Sequence, residues 1–324
     1  MYHYTVIQWL FFFYFYCFVG WCIESTHVSI RTRKLTNRGF MRGPFLPLYG
    51  SGAIMMLVVS MPFQDSIVLT YLAGCVGATI LEYITGVTME ALFKVRYWDY
   101  SNQKFNFQGH ICLGTTLAWG LLTILMTEIV HVPVEKLMLS IPGKTLTVVT
   151  IVLTIVIAVD FALSFKAAID LRNILIKMEQ VKQELVHIQK SLDAIFAAAN
   201  AEWESRREEW ENRKEERNEG FLAKKEAITE GLSVRIEDLK SSIEGKLTSI
   251  KNMVQSKPSG YPESTSEELS ELKTKYAVSV EKRKQLGGIR DFFQRDMIRS
   301  NPGMTSIKFK EALEELKHNV SARK

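Results

Sequence analysis

Charge is scarce in the first half of this chain. Of 40 Lys and Arg and 35 Asp and Glu, residues 1–165 hold ten and eight, and residues 166–324 hold thirty and twenty-seven. So little charge over so long a stretch excludes an ordinary water-facing domain there. Cysteine is also sparse. Cys17, Cys22, Cys75 and Cys112 all fall in or beside apolar stretches, which excludes a secreted disulfide framework and reads as small buried thiols. His110 and Cys112 alone do not make a metal site, and no metal or cofactor is expected. No Ser/His/Asp arrangement supports hydrolytic chemistry. Gly143-Lys144-Thr145 resembles the end of a phosphate-binding loop, but Met138 stands where its first glycine is required. No Lys or Arg precedes the first apolar run, Phe11 to Tyr16 is aromatic, and no small-residue cleavage site follows. That run is therefore expected to be retained rather than cleaved as a signal. The net charge of +5 is mild, and runs such as Arg206-Arg207-Glu208-Glu209 mix signs, so nucleic acid is not an expected partner.

What is present is a set of long apolar stretches. Five approach the roughly 20 residues needed to cross a bilayer core: Val6–Ile23, Phe45–Met61, Ile67–Leu92, Ile111–Val130 and Leu146–Phe165. Pro44, Pro47, Gly50 and Gly52 interrupt the start of the second, which leaves a broken or re-entrant helix open there. The first loop carries Arg31, Arg33, Lys34, Arg38 and Arg42 without an acid. The second, around residues 62–66, has no basic residue, and the third has Lys94, Arg96 and Lys104. Basic loops face the cytoplasm. The expected protein is thus a multi-pass plasma-membrane protein with its amino terminus outside and its tail inside.

The tail repeats apolar residues at alternating spacings of three and four. Leu171, Ile174, Met178, Val181, Leu185, Ile188, Leu192 and Ile195 form one seam. Leu232, Ile236, Leu239, Ile243 and Ile250 form a second, with Gly220 and Gly231 between the two. Residues 256–262 read as a linker, residues 264–286 as a helix stopped by Gly287-Gly288, and residues 305–318 as a last helix. The fold class is all-α: a five-span bundle over residues 1–165, then a long cytoplasmic coiled-coil tail. The tail divides into coiled-coil helices over 166–255, a linker over 256–266 and short helices over 267–324. Such seams dimerise or fold back on their own chain, and both alternatives stay open.

Acids inside a membrane are costly and are functional candidates by default. Glu82 lies within the third stretch, preceded at spacing four by Gly74 and Ala78, a small-residue face that admits a neighbouring helix. Glu24 ends the first stretch and Arg42 begins the second, at a similar depth. These three residues are expected to cluster, with Arg42 paired to Glu82, Glu24 or both. A structural ion pair, an ion or proton pathway, and a site for a polar headgroup or solute are the alternatives. Asp160 and Glu128 read as interfacial. The third loop concentrates Trp98, Asp99, Tyr100, Ser101, Asn106 and His110. These residues suit a membrane-interface belt, and their hydrogen-bonding capacity suits an ordered re-entrant loop.

The run Gly39 to Gly50, containing Gly43-Pro44, Pro47, Tyr49 and Gly50, resembles the signature of the ABC-transporter type IV family of bacterial multi-span membrane proteins. The resemblance continues through Leu81-Glu82-Tyr83, Thr85-Gly86, Glu90, Phe93, Trp98 to Ser101, Phe105-Asn106, Gly109 and Ile111 to Leu113. It covers about residues 5–165. It implies a permease-like component, with no enzymatic activity, that takes its energy from a separate ATPase. The expected partners are membrane lipid, that ATPase or another cytoplasmic protein, and a second copy joined through the coiled coil. The competing reading is a membrane-anchored coiled-coil scaffold. An intramembrane enzyme using Glu82, Asp99 or His110 as acid–base groups lacks a supporting motif.

Overall fold

The computed structural model describes residues 4–212, 240–248, 263–289 and 291–322. Its helices are α1 (Val6–Thr32), α2 (Pro47–Ser60), α3 (Ile67–Phe93), α4 (Leu113–Leu125), α5 (His131–Leu139) and α6 (Gly143–Asn212). A helical stretch over residues 240–248 is α7, followed by α8 (Glu263–Gly287), α9 (Phe292–Ser300) and α10 (Lys310–Ala322). A two-residue hairpin pairs β1 (Asn106–Phe107) antiparallel with β2 (Ile111–Cys112).

The described residues fall into two compact units. One comprises residues 1–175 with 289–324, and the other residues 176–288. In the first unit α1 packs on α2, α2 on α3 and α3 on α4. Among the described residues, four helical stretches are long and apolar enough to cross a membrane: Val6–Thr32, Ile67–Phe93, Leu113–Leu139 and the apolar part of Gly143–Ala198. The third of these joins α4 to α5 through a wide π turn at Met126–Val130. Their outward faces are apolar. Val76, Ile80 and Ile84 on α3 are exposed, as are Val148, Ile151, Val152 and Ile155 on α6. Their inward faces hold Thr70, Glu82, Thr123, Thr127, His131 and Thr150. Apolar outside and polar inside is the pattern of helices solvated by lipid.

The second expected span is shorter than expected. Its helix has 14 residues, roughly 21 Å at the helical rise, against a core of about 30 Å. It starts at Pro47, where the missing N–H is not needed, and runs into a single 3₁₀ turn at Met61–Phe63. Phe45 and Leu46, read from the sequence as part of the span, are not helical. The Leu46 N–H instead donates to the Cys17 carbonyl on α1 at 3.0 Å. Non-helical backbone survives beside lipid only with such protein partners.

The second unit buries Val181, Leu185, Ile188 and Leu192 of α6 against Ile243 of α7 and Tyr276 of α8. Burying such a side chain contributes roughly 1.5–3 kcal/mol. The Val181–Leu192 part of the first seam is therefore covered by helices of the same chain. Upstream of this unit, on the same helix, Leu175 rather than Ile174 is buried. In the second seam, Leu232, Ile236, Leu239 and Ile250 lie outside the described residues, as do Gly220, Gly231 and the linker over 256–262. Helix α8 stops at Gly287, as the sequence predicts, but the last helix begins at Lys310 rather than residue 305.

Candidate functional site

The Gly39–Gly50 run builds one wall of the site. Gly39 takes a left-handed φ of 137°, which favours glycine. The Gly43 N–H donates to Asp160 Oδ2 of α6 at 2.8 Å, which gives that carboxylate a role beyond the interfacial one read from the sequence. A Cβ at Gly50 would lie 2.6 Å from the Phe13 carbonyl oxygen, so α1 and α2 touch backbone to backbone. Pro44 and Pro47 bracket the turn that leads into Tyr49 at the start of α2. The Tyr49 hydroxyl donates to Glu24 Oε2 at 2.9 Å.

The third loop builds the floor around Arg96, which is buried. Its Nε donates to Glu90 Oε2 at 2.8 Å, and its Nη1 reaches Asp99 Oδ1 and Ser101 Oγ, each at 3.4 Å. Asn106 Nδ2 donates to the carbonyls of Ser101 and Gln103, and its Oδ1 accepts from the Gly109 N–H. Trp98 Nε1 donates to the His110 carbonyl at 3.0 Å, and His110 Nε2 lies 3.1 Å from Glu90 Oε2. The Tyr100 N–H donates to the Gly109 carbonyl at 2.8 Å, so one network orders all six residues singled out in this loop. Burial and the Arg96 charge push His110 below its ordinary value, against the opposing pull of Glu90 and Asp99. Burial raises the Asp99 carboxyl, but the Ser101 donors, Arg96 and the Thr305 hydroxyl outweigh it and hold it below its ordinary value.

Between wall and floor lies a cavity of about 470 Å³. Glu24, Arg38 and Glu82 line it, with Tyr49, Trp98, Tyr100, Trp119 and Phe93 among its aromatic residues. Glu82 is 5% exposed. Its Oε1 accepts from the Tyr100 hydroxyl at 3.1 Å and its Oε2 from Trp119 Nε1 at 2.9 Å. The Gly86 position, one turn along α3, lies against His110 and Trp98. A Cβ there would meet His110 Nδ1 at 2.9 Å.

The structure corrects the pairing expected from the sequence. Glu24 and Glu82 do share one cavity, but Arg42 joins neither. Arg38 takes its place and reaches Glu24 Oε1 at 3.4 Å. Arg42 instead lies 3.5 Å from Asp296 Oδ2, with its guanidinium over the rings of Phe292 and Phe293 at 4.6 and 4.3 Å. The physical reason is the segment 291–309, which packs on this end of the bundle and competes for the loop cations. Asn301 Oδ1 accepts from Arg38 Nη1 at 2.7 Å, and its Nδ2 donates to the Gly39 carbonyl at 2.9 Å. Thr305 exchanges backbone hydrogen bonds with Arg96, its hydroxyl donates to Asp99, and Ser306 donates to the Lys94 carbonyl. Sequence reasoning missed Asn301, Asp296, Trp119 and the central role of Arg96. Only Arg96, basic and flanked by Glu90 and Asp99, carried a local signal.

Comparison with known proteins gives one match. The family described as Putative ABC-transporter type IV matches residues 11–165. This stretch contains the wall, the floor and Glu82, while residues 166–324 lie outside it. No curated protein and no solved structure matches the chain. The family match over residues 11–165 and the apolar helices together fit a multi-pass membrane protein.

Proposed function

We propose, starting from a membrane part that carries this family's match, that the chain is the permease-like component of a transport system. A separate ATPase would energise it. The observation that carries the reading is the cavity itself. A space of about 470 Å³, inside a unit whose outer face is apolar, is lined by two carboxylates and a guanidinium. Ionisable groups are kept in such a place when something polar has to pass or bind. The basic first and third loops supply the sidedness, with the cavity opening towards the cytoplasm and the amino terminus outside. The segment 291–309 touches both of these loops, which fits a cytoplasmic carboxy-terminal end.

Affinity purification of the full-length chain from native membranes tests the reading. A co-purifying nucleotide-hydrolysing subunit is the expected result. A preparation that yields only cytoskeletal or envelope proteins would overturn it.

One observation favours the scaffold as a second reading: residues 176–288 make a compact helical unit of their own. Removing residues 176–288 leaves transport intact if that unit only recruits partners, and abolishes function if recruitment is the function.

A further inference from the structure

The charges around the cavity do not balance. Two carboxylates line it against one guanidinium. That guanidinium is already engaged by Glu24 Oε1, by Asn301 Oδ1 and by the carbonyls of Ser300 and Tyr97. Glu82, the more deeply placed acid, accepts hydrogen bonds from neutral donors, Tyr100, Trp119 and Thr115. No cationic side chain among the described residues forms an ion pair with it. A buried carboxylate without a counter-charge is costly, and a cation brought in by a ligand removes that cost. The same cavity is lined by Phe93, Trp98, Tyr100 and Trp119. Aromatic faces attract organic cations and also cover apolar bodies. The volume falls within the range of small-molecule pockets.

We infer that this cavity is a binding site for an amphipathic organic cation, an ammonium group on an apolar body, with Glu82 as its counter-ion. An anion would meet two carboxylates and a spent guanidinium, and a wholly apolar molecule would leave Glu82 uncompensated. The inference deepens the permease reading by naming a substrate class, and rests on that reading only for the passage of the ligand.

The test is equilibrium binding of radiolabelled benzyltrimethylammonium to the full-length chain in lipid nanodiscs, with empty nanodiscs as the blank. Benzenesulfonate serves as the competitor of opposite charge. Saturable binding is expected, with little competition from benzenesulfonate. Glu82→Gln keeps one acceptor oxygen for the Trp119 N–H and offers an amide N–H that the Tyr100 hydroxyl can accept, but it removes the charge, and should weaken binding about thirtyfold or more. Glu82→Asp keeps the charge and should retain most of the affinity, which separates loss of the counter-ion from loss of the fold. Undiminished binding to Glu82→Gln, or tighter binding of benzenesulfonate than of the cation, overturns the inference. Glu82-dependent binding without ATP-driven flux in proteoliposomes that also hold the co-purified ATPase would leave the site standing and remove the permease. A co-purifying ATPase with no cation bound would do the reverse.

Discussion

Helix α3 and the 176–195 part of α6 are both rich in Leu, Ile and Val, yet they turn opposite faces to their surroundings. On α3 the exposed residues are Val76, Ile80 and Ile84, and the buried ones include Thr70, Gly74, Ala78 and Glu82. On α6 the buried residues are Val181, Leu185, Ile188 and Leu192, while Glu184, His187 and Lys190 face out. One principle covers both. In water, apolar area removed from solvent drives packing. In lipid there is no such gain between helices, so small residues and internal hydrogen bonds hold the bundle. An acid such as Glu82 is therefore tolerable inside the first unit only with Tyr100 and Trp119 beside it. The second unit keeps acids on its rim, where Glu184 meets Lys282 at 3.3 Å.

Four substitutions or conditions can break this contrast, and the largest effects should come from the two cores. Leu185→Ala removes a fully buried side chain from the second unit and should cost about 3 kcal/mol, read as a lower denaturant midpoint for residues 176–288. Arg96→Met withdraws the cation at the centre of the loop network and strands the carboxylates of Glu90 and Asp99. A cost of about 3 kcal/mol is expected, read as a lower Tm in detergent. An unchanged Tm would mean that the loop is held by its backbone alone.

Acidification should act more weakly, and on the first unit. His110 titrates below 6.5 in the fold and near 6.5 in the unfolded chain. Its stabilisation is present above 6.5 and is lost as pH falls from there through the folded value. Asp99 titrates below 3.8, so a further loss follows as pH falls from about 3.8 through its folded value. Arg96→Met should change this profile, because its charge acts on both groups. A Tm in detergent that rises between neutral pH and pH 5 would contradict the assignment. The smallest effect belongs to Ile155→Ala. Ile155 is exposed on an apolar face, and lipid replaces what the side chain loses, so Tm should shift by less than the equivalent of about 0.5 kcal/mol.

Much of this arrangement was legible in the sequence, for reasons that differ by residue. The spans were readable because lipid imposes length and apolarity, and Glu82 because an acid in such a span stands out. The inward turn of Glu82 followed from Gly74 and Ala78 on the same helical face. The second stretch stayed open between a span and a broken or re-entrant helix, because hydropathy counts apolar residues and does not see that the Leu46 N–H is held by the Cys17 carbonyl. The Arg42 pairing failed for a related reason. Depth along the membrane places charges only along one axis, and Asp296 and Asn301, some 260 positions away in the chain, decide which arginine is left for Glu24. Trp119 was missed because an indole among Leu and Thr reads as packing until its N–H is seen on a carboxylate. The tail seam was legible through its period alone, which does not distinguish a second chain from α7 and α8 of the same one.

The central claim is that the polar face of α3 borders a water-accessible cavity while the adjacent face borders lipid. The most direct test is cysteine labelling in a background where Cys17, Cys22, Cys75 and Cys112 are replaced. Thr85→Cys, half-buried on the cavity wall, should react with a membrane-impermeant maleimide in inside-out vesicles. Ile84→Cys, exposed on the outer face of the same helix, should not. Labelling at position 84 with protection at position 85 would contradict the account.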